Sequence, residues 1–136
     1  MLGVRKYTER YVDRCRERVE ADVSAFRDLA ARARGNGRME AFEARFFNDM
    51  VLVLDHLFVH RLRTVEGKDG NALNEVRVLS DSIMENNGVL RADKSIKLSP
   101  AKSVLGCQAG DEIKLKEADF VRLSEAFFAE IEGRYL

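Results

Sequence analysis

Val12, Cys15, Val19, Val23, Phe26, Ala30 and Ala33 recur at spacings of three and four residues, with charged side chains filling most positions between them. That spacing lays one apolar stripe along a helix of 3.6 residues per turn, so residues 5–33 are predicted to form a long amphipathic helix. Such a helix must bury its stripe against other elements, which commits the chain to helix packing. Gly35-Asn36-Gly37-Arg38 interrupts the pattern, with Gly35 as a C-cap and the Asn-Gly pair as a turn.

A second helix is predicted over residues 39–65. Phe46, Phe47, Met50, Val51, Val53, Leu54, Leu57, Phe58 and Leu62 cover more than half of its circumference. A helix that apolar belongs in the middle of a bundle or at a subunit interface. The stretch EGKDGN at 66–71 ends it, and Asn71 is placed to N-cap a third helix over 72–86. Leu73, Val76, Leu79 and Ile83 form the buried stripe of that helix.

From residue 89 to 115 the period changes. Ser95-Ile96-Lys97-Leu98 and Glu112-Ile113-Lys114-Leu115 alternate polar and apolar residues, which predicts two short strands pairing as a hairpin. Phe120, Leu123, Phe127 and Ile131 mark a last helix that runs almost to residue 136. The expected fold is mainly α, an antiparallel bundle of about four helices with a short β-hairpin before the last one. Residues 1–136 are expected to form a single domain, since this length suffices for one core.

Charge narrows the range of functions. The 23 basic and 23 acidic residues cancel to a formal net charge of zero. A nucleic-acid partner is therefore not expected, because such binders carry a basic excess on one face. Arg14, Arg16 and Arg18 are interleaved with Asp13, Glu17 and Glu20, the pattern of a solvated helix face. The start of the chain has no apolar signal-like run, and the run from 50 to 59 is interrupted by Asp55 and His56, so neither export nor a membrane partner is expected. Two cysteines without a CxxC pair make no disulfide framework; Cys15 lies on the apolar stripe. A cytoplasmic location follows as the expectation.

The two histidines, His56 and His60, stand four residues apart within the predicted second helix. At about 100° per residue they would share one face, and such a pair can put two imidazoles on a single divalent metal. Asp81 and Glu85 of the third helix are the candidates for further ligands. Known uses of helical histidine pairs do not fit, however. The residue after His56 is Leu57, where the zinc proteases carry their glutamate base, and Val53 and Leu57 stand where di-iron bundles have glutamate. The competing reading places both imidazoles at a helix–helix seam, hydrogen-bonded to neighbouring polar groups, and the residues favour it.

The loop EGKDGNALNE, 66–75, is the most chemically dense of the chain. Lys68, Asp69, Asn71 and Glu75 are candidate ligand-binding residues, since amides opening the third helix could hold an anion beside Lys68. Helix capping explains most of the same pattern, and the spacing is not that of a nucleotide-binding loop. No GxSxG occurs, and Cys107, between Gly106 and Gln108, lacks a recognisable activating partner, so no catalytic residue can be named.

The block FFNDMVLVLDHLFVHRLRTVEGKDGNALNEVRVL, with the later KSVLG and GDEIKLKEADFVRL, resembles a group of short uncharacterised proteins of actinobacteria. The resemblance covers most of the chain and implies no activity or catalytic residue.

Two functional expectations result. The first is a non-enzymatic helical protein that acts through association, most simply as a homodimer, on the strength of the surplus apolar arc of the second helix and of Phe127 beside Phe128. The alternative is a bundle that binds a small ligand or a metal at His56, His60 and the 66–75 loop.

Overall fold

The computed structural model describes residues 3–136, which fold into five helices: α1 (Glu9–Arg32), α2 (Gly37–Leu57), α3 (Arg63–Glu66), α4 (Ala72–Glu85) and α5 (Glu117–Tyr135). The mainly helical class is as expected. Thr8 opens α1 by accepting a hydrogen bond from the Tyr11 amide, and Asn36 and Asn71 do the same for α2 and α4. The stripe of α1 is buried as its spacing requires, at Val12, Cys15, Val19, Val23 and Phe26.

Phe26 packs on Phe46 and Phe47 in the first half of α2, whereas Tyr11 donates its hydroxyl proton to the Leu57 carbonyl at the far end. α1 and α2 therefore run antiparallel. α4 packs against both α2 and α5, and α1 closes over α2 and α5 from the other side. The resulting core is continuous and rich in aromatic rings, with Phe47, Phe58, Phe120, Phe127, Phe128 and Tyr135 among its largest fully buried members. Phe127 and Phe128, expected to contribute to a surplus apolar surface, are both fully covered within this core.

Two expectations fail. The second helix does not reach residue 65; it ends at Leu57, and a turn over 58–60 leads into the short α3. In a continuous helix Arg61, seven residues after the fully buried Leu54, would point its guanidinium into the apolar core. The chain breaks instead, and Arg61 turns back under the end of α2, where its Nη1 donates to the Phe58 carbonyl at 3.0 Å. The broken segment finds a new backbone partner in an isolated parallel bridge, with Val4 N–H donating to His60 at 2.7 Å and Leu62 N–H donating to Val4 at 2.9 Å.

The expected hairpin is also absent. Among the described residues there is no strand, and residues 89–115 contribute only an isolated bridge between Val89 and Glu112. Ile96, Ile113 and Leu115 are buried against the helices, so the alternation is real, but their backbones pair elsewhere. Lys97 N–H donates to the Lys68 carbonyl, and the Asn48 side chain of α2 donates to the Ile113 carbonyl at 2.7 Å while accepting from Leu115 N–H at 3.2 Å. One amide side chain thus takes the place of a partner strand.

Candidate functional site

The 66–75 segment turns most of its chemistry inward. Glu66 is fully buried and accepts from Arg61 Nε at 2.9 Å, Arg77 Nη2 at 2.6 Å, Arg77 Nε at 3.1 Å and Asn74 Nδ2 at 2.8 Å. Burial alone would raise its carboxyl pKa; the hydrogen bond from Arg77 and the charges of Arg61 and Arg77 reverse this and hold it below the usual range. Arg61 is equally enclosed, with Nη2 on the Asp55 carboxylate at 2.9 Å and its guanidinium carbon 5.5 Å from the centre of the Phe127 ring. This cluster ties the end of α2 to α3, α4 and α5, and its polar groups are taken up by one another.

The four candidate ligand-binding residues have places of their own. Asn71 caps α4 by accepting from the Leu73 and Asn74 amides, and donates to the Glu66 carbonyl and to Asp69 Oδ1. Asp69 is held below its ordinary pKa by the Asn71 bond, and its other oxygen stands 3.9 Å from both Lys102 and Arg134. Glu75, nearly fully buried, accepts from Ser103 Oγ at 2.9 Å, Val104 N–H at 2.7 Å and Leu105 N–H at 3.0 Å, fastening the 103–105 strap to α4. Lys68 is exposed, and its carbonyl receives the Lys97 amide. The structure brings Asp69 and Asn71 together but leaves Glu75 facing a different segment.

The histidine pair loses the geometry on which it rested. His56 sits in the last turn of α2, while His60 lies beyond the helix in the turn that follows, so they are not successive residues on one helical face. Among the described residues no group of three or more His, Cys, Asp or Glu side chains is arranged to hold a metal ion. Of the further ligands expected on α4, Asp81 shares a groove with His56, whereas Glu85 pairs with Arg91 at 3.2 Å.

That groove, of about 480 Å³, runs over α2 between α1 and α4. Its floor and walls are apolar: Leu52, Val53 and Leu57 of α2, Val59 of the following turn, and Met84 of α4. Val59 is 44% and Met84 69% exposed, high values for residues of their kind. The rim is charged. Arg18 stands on the α1 edge, Asp55 and Asp81 on the α4 edge, and His56 between them. Burial, then the charges of Asp55 and Glu85, push the Asp81 carboxyl pKa up, against the opposing charge of Arg77.

Residue patterning missed Arg61 and Arg77, the two cations of the buried cluster. For Arg61 a signal existed: a guanidinium on the apolar arc of a helix is a conflict, and the conflict marks the break. Cys107 is half-buried, and burial followed by Glu75, Asp111 and Asp119 pushes its thiol pKa up, away from thiolate reactivity. Among the described residues no helix is long and apolar enough to cross a membrane.

Comparison with protein-family models, curated proteins and solved structures finds no match to this chain. The functional reading therefore rests on the groove and the cluster beneath it.

Proposed function

We propose that this protein is a non-enzymatic antiparallel helical bundle that acts by association, most simply with a second copy of itself, through the groove of α2 and α4. The observation that carries this reading is the line of apolar side chains, half-buried Leu52 and Val53 with exposed Val59 and Met84, enclosed by a charged rim. An apolar centre with a polar rim is the anatomy of a protein–protein contact. Phe127 and Phe128 no longer contribute to the argument, because the core absorbs both. Leu29 and Phe42 are also exposed but lie outside the groove, where the outward side of α2 and Met84 form one apolar surface.

A photo-crosslinking residue placed at position 84, in cells that normally make the protein, tests the reading. Adducts should form at 84 and not at Glu17, an exposed position on α1 outside the groove. Equal labelling at both positions, or none at 84, would overturn it.

A further inference from the structure

The rim of the groove is divided by charge, and the division selects an occupant. Arg18 lies on one edge and Asp81 on the opposite one, with α2 between them. Among the described residues neither Arg18 nor Asp81 is held in an ion pair within the chain, so both charges are available to a partner. Asp55, the neighbour of Asp81 on the rim, is already engaged by Arg61 and leaves Asp81 as the free acid of that edge. Burial, then the charges of Asp55 and Glu85, raise its carboxyl pKa against the opposing charge of Arg77.

A surface with a basic edge, an apolar centre and an acidic edge is complementary to itself under one of two simple operations. Both are two-fold rotations about an axis lying in the plane of the face. An axis across α2 stacks Arg18 on its own copy and Asp81 on its own copy, which repels on both edges. An axis parallel to α2 exchanges the edges and sets each basic edge over an acidic one. Like charges set opposite one another cost enough to decide between these arrangements. Resting on the association proposed above, we infer that the groove is covered by a second copy of the chain, related by a two-fold axis parallel to α2, with Arg18 of each copy against the partner's Asp81. The outward side of α2, with Leu52 and His56, then lies along the axis facing its own copy, and Met84 closes over the flank. The contact is isologous and closes at two subunits.

Charge exchange followed by sedimentation velocity tests this. Wild-type protein should sediment as a concentration-dependent dimer. Arg18→Glu and Asp81→Arg should each weaken the dimer by at least about tenfold, because each creates two like-charge contacts per dimer. An equimolar mixture of the two variants should restore association as a heterodimer, since each then supplies the charge that the other lacks. That recovery cannot come from misfolded subunits. A dimer that is lost on Met84→Asp but indifferent to both charge exchanges would overturn the inference while leaving the groove as the contact. A monomeric wild type whose position-84 crosslinker captures a different protein would do the same. A dimer insensitive to Met84→Asp would overturn both.

Discussion

The Arg61 guanidinium and the Glu66 carboxylate, both fully buried, meet at 2.9 Å across the break between α2 and α3. Arg77 reaches the same carboxylate from α4, so one anion serves two cations, and Asp55 supplies the second negative charge at the edge of the cluster. Ions removed from water in this way contribute little net stability while intact, but removing one partner leaves a charge stranded.

Glu66→Gln should therefore destabilise the fold by about 3–5 kcal/mol, since Arg61 and Arg77 lose their shared counter-ion. Glu85→Gln, which removes an exposed pair with Arg91 at 3.2 Å, is the control and should change stability by less than about 1 kcal/mol. Urea unfolding of the two variants beside the wild type reads the difference. Equal midpoints would show that the buried cluster carries no special weight.

Acid should unfold the protein through the same residue. The carboxyl of Glu66 titrates lower in the folded chain than in the unfolded one. Its contribution is therefore present above the unfolded value, about 4.3, and declines as the pH falls below it towards the folded value. Thermal melting followed downward from neutral pH should show the midpoint falling in that window. The fall should be shallower in Glu66→Gln, from which this titration has been removed.

Alkali acts with the opposite sign. Burial pushes Tyr7 and Tyr135 up to about 12, and Tyr11 is raised as well, again mainly by burial. Below about 10, the ordinary tyrosine value, all three are protonated in both states; above it the unfolded chain ionises first, and stability declines as pH rises towards 12. Ultraviolet titration of the native protein should show little tyrosinate until the helical circular dichroism collapses, and then a joint rise. Tyr7 or Tyr135 titrating near 10 in the folded protein would contradict the burial of this pair.

Gly70 has φ of +86°, and a Cβ there would stand 2.1 Å from the Lys97 carbonyl oxygen. Gly70→Ala combines a disfavoured backbone conformation with a clash against main chain that has no room to yield. The substitution should destabilise the fold and speed amide exchange at Lys97, whose N–H is held by Lys68. Gly35→Ala, at a similar φ of +81° but with nothing within 4 Å, carries the conformational cost alone and should be the milder change.

The parts of the fold legible in the sequence were those governed by one neighbour relation repeated along a helix. The stripe of α1 and the Asn71 cap of α4 depend on local spacing, and both are where the spacing puts them. The end of α2 depends on Arg61 meeting Glu66, Arg77 and the carbonyl of Phe58, contacts that no periodicity encodes. The alternation at 95–98 and 112–115 reported burial faithfully and pairing wrongly, because Lys68 and Asn48 supply the hydrogen bonds that a neighbouring strand was expected to supply. Of the four residues that the 66–75 loop offers to a ligand, Glu75 is enclosed and Asn71 caps α4, while Lys68 and Asp69 stay exposed. The groove itself spans three segments, and only the surplus apolar arc of α2 foretold it.

Val4 bridges to Arg61, Tyr7 N–H donates to the Tyr135 carbonyl, and the Tyr135 hydroxyl donates to Leu62 at 2.8 Å. Residues 4–7 and Tyr135 therefore meet over the same turn. A chain emerging from the ribosome can wind α1 and α2 early, but the site where they are locked together stays open until residue 135 has been released. The aromatic cluster around Phe58 can close only once Tyr7 and Tyr135 are both present to pack against it. Until then its rings are bare, so the core closes last where the beginning of α1 and the end of α5 are brought together.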